Sequence, residues 1–350
     1  MNNIKTPLYR GINLIENGRM KRLFVHFNKR MKPWWWVALI LLCILFSLLM
    51  TFITIGVENP NYKAIFKEIS KVIVQVFMTG FSIGVSGFII QRLTRNRLVD
   101  TSTIGVGNFC LIGLVIFAFG FNFDSIENQA SFTRNLPYIF VPFAVFITII
   151  LYFFGRTRTN FSPAKLIICG LFVNFIAITL SISLQDQLNR SAAEYIDELL
   201  EAHYAHMTDN IWIFTGVFFG ASLIWFFIRS PIYKIFLSDA VVARQLGIRT
   251  KLVTFELIII TGILSGIAYT LAGNILFVGI AAANIAYNLF GLRVNRAALF
   301  SGLLTTVFLL FSQFLLGTIV VKATSYPFNP PLLTPLLVAP IFIIMVVVKS

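Results

Sequence analysis

The chain has 350 residues, 57% of them hydrophobic and 12% charged, about half the charged share of an ordinary soluble domain. One core of this length cannot bury so much apolar surface, which excludes a water-soluble globule and makes lipid the solvent. The net charge of +14 would point to nucleic acid in a soluble chain. Here its distribution matters more than its sum, and no nucleic-acid partner is expected.

In chain order, residues 1–32 are polar and basic, too charged for a secretory signal. They are expected to form a cytoplasmic tail that steadies the first span and rests on anionic headgroups. Residues 33–350 are expected to form one membrane domain. Charge-free runs follow at Pro33–Val57, Val72–Gln91, Thr101–Phe123, Asn135–Gly155, Leu166–Gln185, Asn210–Ile228, Leu257–Leu292, Ala297–Val321 and Ala323–Val348. About 20 apolar residues cross a bilayer as a helix, so eight of these are single spans. As one helix Leu257–Leu292 would be roughly 54 Å long. It is broken at Ala272-Gly273-Asn274 and is expected to be two spans joined by a tight turn. The fold class is therefore all-α, with ten membrane-spanning helices.

An even count puts both termini on one side, and basic residues retained in the cytoplasm decide which. With the termini inside, 22 of the 28 Lys and Arg residues fall on inner segments. Lys63, Lys67, Lys71, Arg134, Arg190 and Lys322 fall outside, with ten of the 14 acids. Both termini are thus expected in the cytoplasm.

Gly80/Gly84, Gly216/Gly220 and Gly262/Gly266 repeat a four-residue spacing of small residues that lets helix backbones approach closely in lipid. Thr79-Gly80 and Thr261-Gly262 open two of these pairs on helices that run in opposite directions, a faint echo of an inverted repeat. The cytoplasmic loop at about 229–252 carries a short amphipathic helix around Val242, Ala243 and Leu246, with Gly247 as its stop. On pattern alone it is equally a receiver of force from a soluble motor and a helix resting on the bilayer surface.

Sites for chemistry are scarce. Cys43, Cys110 and Cys169 lie in separate runs, which excludes a disulfide scaffold or a cysteine metal site. His203 and His206, flanked by Glu201 and Asp209, have metal-like residue types but loose spacing, and a solvated loop accounts for them as well. With only His26 besides, no Ser-His-Asp or Cys-His set can be assembled, and no metal or cofactor is expected. Glu256, near the inner edge of span seven, is the only intramembrane acid, which argues against a proton-driven carrier. No phosphate-binding loop occurs, so any ATP must be bound by another chain.

Ser86-Gly87-Phe-Ile-Ile-Gln91, followed by Asn96, Leu98, Asp100, Gly105 and Val106, resembles the second-span motif and following loop of FecCD-type permeases. These are membrane subunits of ABC importers for iron-siderophores, haem and cobalamin. Further likenesses follow in order: Leu166–Gly170 resembles the start of the family's fifth helix, and Ala243-Arg-Gln-Leu-Gly247 its coupling-loop signature. Gly273-Asn-Ile-Leu-Phe277-Val278-Gly279-Ile280 resembles its Gly-Pro-Ile-x-Phe-Val-Gly-Leu. Leu333-Thr334 and Ala339-Pro340-Ile-Phe342 resemble its closing helix.

There are departures. Arg97 and Thr101 replace both prolines of the first motif, Ala283-Asn284 replaces Pro-His, and Tyr287 replaces Arg. Ser238 or Asp239 stands for the Gly before the coupling helix.

The resemblance implies two inverted halves, spans two to five and seven to ten. It also implies a second permease subunit, ATPase subunits gripping the loop through Asp239, Val242, Ala243, Leu246 and Gly247, and an extracellular or periplasmic binding protein. Gly273, Phe277, Val278 and Gly279 are the implied gating motif. Lys67, Lys71, Arg134 and Arg190 are candidates for docking the binding protein. The rival expectation is an ion-coupled secondary carrier of a small hydrophobic or chelated solute.

Overall fold

The computed structural model describes residues 34–55, 62–157, 161–200, 204, 208–273, 275, 277–291, 293–320, 334–336 and 338–340. The basic tail, His203, His206, and most of Ala323–Val348 lie outside them. Among the described residues the chain is helical, and its only strand-like pairing is an isolated bridge between Arg156 and Phe161. The helices are α1 Trp34–Ile55, α2 Tyr62–Thr94, α3 Val106–Ala118, α4 Ile126–Arg134, α5 Leu136–Gly155, α6 Pro163–Gln185 and α7 Arg190–Leu200. They continue as α8 Asp209–Ile228, α9 Ser230–Ser238, α10 Ala240–Gln245, α11 Thr250–Ala272, α12 Val278–Phe290 and α13 Val294–Ser312, which a π-helical segment Gln313–Val320 extends. Six stretches are long and apolar enough to cross a membrane, in α2, α4–α5, α6, α8, α11 and α13, and shorter apolar helices lie in α1, α3 and α12.

Each of the first eight charge-free runs thus contains a helix, and the long run contains two. Three details differ from expectation. α2 starts at Tyr62, so Lys63, Lys67 and Lys71 belong to a helix and not to a connection; spaced four apart, they fall along one side of its first three turns and do not interrupt it. The third run and the second part of the seventh hold helices of only 13 residues each, about 20 Å long and shorter than a ~30 Å hydrocarbon layer. Each begins after a left-handed residue, Gly105 at φ 83° and Phe277 at φ 63°. The break near Ala272 stands where expected, with Gly273 (φ 69°) ending α11. The turn, however, leads to a half-length helix rather than a second full span.

α2 and α11 form the buried centre and pack on each other. α2 lies against α13, where a Cβ on Gly80 would stand 2.6 Å from Thr306 Cα and one on Gly84 2.7 Å from Gly302 Cα. Ser301 Oγ donates to the Gly84 carbonyl at 2.7 Å. α11 lies against α5 in the same manner: a Cβ on Gly262 would stand 3.1 Å from Val145 Cα, and one on Gly266 2.7 Å from Val141 Cα. α2 and α13 therefore meet through glycines as α11 and α5 do. The third pair behaves differently. Nothing lies within 4 Å of a Cβ on Gly216 or Gly220, and α6 and α8 expose much of their apolar surface, including Phe172, Phe175, Ile213 and Val217.

Candidate functional site: coupling segment and motif loop

The segment after α8 folds as two helices where one was expected. Arg229 closes α8 and donates Nη2 to Glu256 Oε1 at 2.9 Å and Nε to Oε2 at 3.3 Å. The Tyr233 hydroxyl donates to Glu256 Oε2 at 3.0 Å, and Asn295 Nδ2 donates to Ser230 Oγ at 2.8 Å. α9 is thereby tied to α11 and α13. Glu256, in the second turn of α11, is a paired charge at this joint.

α10 has both ends satisfied, which a six-residue helix needs because nucleation alone is unfavourable. Asp239 is its N-cap; Oδ1 accepts from Val241 N at 2.7 Å and Val242 N at 3.4 Å. At the other end Gly247, at φ 78°, closes a Schellman turn in which Ile248 N donates to Ala243 O and Gly247 N to Arg244 O, both at 3.0 Å. The apolar face expected of Val242, Ala243 and Leu246 is divided. Ala243 is fully buried and anchors the helix, while Val241, Val242 and Leu246 are 60%, 45% and 63% exposed. The helix rests on one small residue and presents a bulky apolar edge outward.

The motif loop and the gating motif are brought together. Gly87 allows α2 to touch the start of α12, where a Cβ would lie 3.3 Å from the Gly279 carbonyl oxygen. Gln91 Nε2 donates to Ile280 O at 3.2 Å, and Gln75 Nε2 donates to Leu271 O. These amides satisfy carbonyls where α11 stops and α12 starts, in a region with little water to do so. Val278 and Gly279 are buried; Phe277 is half-exposed.

After α2, Asn96 Oδ1 accepts from Leu98 N at 2.9 Å, and Leu98 itself is exposed. Asp100 is buried and accepts from Ser102 Oγ at 2.7 Å and Thr103 N at 2.8 Å. Gly105 then passes so close to α6 that a Cβ would stand 2.8 Å from Asn174 Cα.

Sequence reasoning missed one assembly. Asn284 Nδ2 donates to the Arg97 carbonyl at 2.7 Å. The guanidiniums of Arg97 and Arg92 lie 4.5 and 4.6 Å from the centre of the Tyr287 ring. Three departures from the family motif, at 97, 284 and 287, are therefore a single structural cluster. Their departing together was the signal available.

The docking candidates share no cluster. Lys67 is exposed on α2, and Lys71 pairs with Glu68 at 3.2 Å. Arg134 closes α4. Arg190 pairs with Glu194 at 2.8 Å, and that carboxylate holds its guanidinium above the usual range. α4 and α7 are themselves joined: the Tyr195 hydroxyl donates to Gln129 O at 3.1 Å, and its ring packs with Phe123 and Phe132. Among the described residues no group of three metal-ligating side chains occurs.

The model of the FecCD transport family matches residues 32–348. The chain belongs to the FecCD transport family. Curated relatives include the iron-uptake system permease protein FeuC of Bacillus subtilis, 25% identical over 267 residues (73% of this chain, 76% of FeuC). The vitamin B12 import system permease protein BtuC of Salmonella arizonae is 24% identical over 270 residues (77% and 78%). A solved metal-chelate-type ABC transporter in an inward-facing conformation shares the fold with a TM-score of 0.71 at 19% identity, covering 89% of this chain and 97% of that one. Within the FecCD pattern, the contacts from Gly87 to Gly279 and from Gln91 to Ile280 join α2 to the start of α12.

Proposed function

We propose that this FecCD chain is the permease subunit of an ABC importer in the cell membrane, carrying a chelated-metal or corrinoid cargo of the iron-siderophore, haem or cobalamin type. Ten spans with both termini in the cytoplasm accommodate the helices and the distribution of basic residues. Two such subunits, identical or paralogous, enclose the path. An external binding protein delivers cargo, with Lys67, Lys71, Arg134 and Arg190 as rim charges that act on docking rate more than on affinity. Separate ATPase subunits grip α10, and uptake is driven by their hydrolysis of ATP.

The observation that carries this reading is α10 itself: a helix capped at both ends, tethered through buried Ala243, with Val241, Val242 and Leu246 exposed. An apolar edge on so short an element has no role in the chain's own packing and suits a groove on a soluble partner. Val278, Gly279 and the half-exposed Phe277 would line the moving part of the path, Gly273 serving as a pivot.

The test is Leu246→Asp in vesicles reconstituted with the ATPase subunits and binding protein. Because Leu246 is exposed, folding is expected to be unaffected. Uptake should fall by about tenfold or more, the loss expected for one central contact of an interface, while ATP hydrolysis persists. Unaltered uptake, or uptake in vesicles lacking ATP, overturns the reading, the latter in favour of an ion-coupled carrier.

A further inference from the structure

At the end of α2, beside the coupling segment, is a cavity of about 300 Å³ lined by Phe88, Gln91, Arg92, Arg95, Arg97 and Tyr287, closed on one side by Leu237 and Ser238. A second recess of about 250 Å³ shares Arg92, Arg95 and Leu237 with it and adds Arg244 and Lys251. Among the described residues, five cationic side chains line the two recesses and no carboxylate does.

The arrangement is also partly preorganised. The Tyr287 ring holds two guanidiniums at 4.5 and 4.6 Å, and Arg92 Nη2 is steadied by the Gly291 carbonyl at 3.4 Å. Arg92 Nε is buried with no hydrogen-bond partner. A buried guanidinium N–H without an acceptor is costly, and an oxyanion is the group that guanidinium forks fit. Arg92, Arg95 and Arg97 gather like charge with no carboxylate paired to them among the described residues, and like charges repel one another unless an anion joins them.

We propose that this recess is a binding site for a phosphate-type oxyanion held by Arg92, Arg95 and Arg97. Because it adjoins Leu237, Ser238, Ala240 and Val241, its occupant touches the root of α10 and bears on how firmly the coupling segment sits. The phosphate belongs either to an anionic lipid headgroup at the membrane surface or to a soluble phosphate.

The experiment uses the full chain in neutral detergent and two probes: phosphatidylglycerol, followed by native mass spectrometry, and inorganic phosphate at fixed ionic strength, followed by the melting temperature. Arg95→Gln with Arg97→Gln is the working variant, since both side chains are exposed. Lys63→Gln with Lys67→Gln removes the same charge at the opposite end of α2 and is the control.

Lipid retention should fall about thirtyfold in the first variant, as expected for two cations lost near a phosphate, and stay unchanged in the control. If only the phosphate-induced rise in melting temperature is lost, and only in the first variant, the site stands and its occupant is soluble. Equal behaviour of the two variants with both probes overturns the proposal. So does a variant that keeps both ligands and instead fails to co-purify with the ATPase subunits, which would make the recess a protein interface. No readout depends on transport, so the importer reading and this site can fail separately.

Discussion

α2 and α8 carry the same spacing of glycines with opposite results. On α2, Gly80 and Gly84 are pressed against Thr306 and Gly302 so closely that no side chain fits. On α8, Gly216 and Gly220 meet nothing. A small-residue pair permits close approach but does not create it; what creates it is a partner that supplies its own small or hydroxyl residues. α13 does so with Ser301, Gly302, Thr305 and Thr306, and α5 does so for α11 with Ala144 and Thr148. α8 packs on α11 through another face, with Ile211, Thr215, Ser222 and Phe226 buried, and its glycines are left for lipid or for another subunit.

The most severe break of this contrast is Gly84→Val. Overpacking a closed interface costs about 3 kcal/mol or more, and the variant should be lost as a monodisperse species on size exclusion in detergent. Gly266→Val should behave alike if the α11–α5 interface is the true counterpart; a wild-type melting temperature there would refute the equivalence. Glu256→Gln is next. It removes the negative charge and turns one of the two accepting oxygens into an NH2 that cannot accept from Arg229 or Tyr233, and with both charged partners partly exposed the loss should be about 1–2 kcal/mol in a melting assay. Asp239→Ala removes the α10 cap at about 1 kcal/mol; hydrogen exchange should quicken around Val241 and Val242, while Asp239→Asn retains protection. The mildest change is Gly216→Ala, expected to be neutral or stabilising by less than about 1 kcal/mol. A marked loss of stability or of dimer there would mean that a second subunit packs on α8.

How much was legible follows from the same physics. Freedom from charge is a property of lipid exposure and of helix length, so the positions of the apolar helices in the first eight runs could be read directly, including the break at Ala272. The caps of α10 were half legible: Gly247 announces a stop, but the inward turn of Ala243 depends on what lies beneath it. α3 and α12 could not be foreseen as half-length, because an apolar run looks the same whether helical or irregular. Only the left-handed backbones at Gly105 and Phe277 divide the two. Least legible was the meeting of Arg97, Asn284 and Tyr287, separated by nearly 190 positions at the extreme and joined by one amide and one ring.

The double anchoring of α9 has a mechanical consequence. Its first turn is fastened to α13 through Ser230 and to α11 through Tyr233, and Arg229 locks the end of α8 to the same carboxylate. The joint therefore ties α8, α11 and α13 to one short helix. Under the proposed coupling, a push on α10 would reach these three helices together as a twist, and salt would soften that linkage, since one of its rivets is ionic.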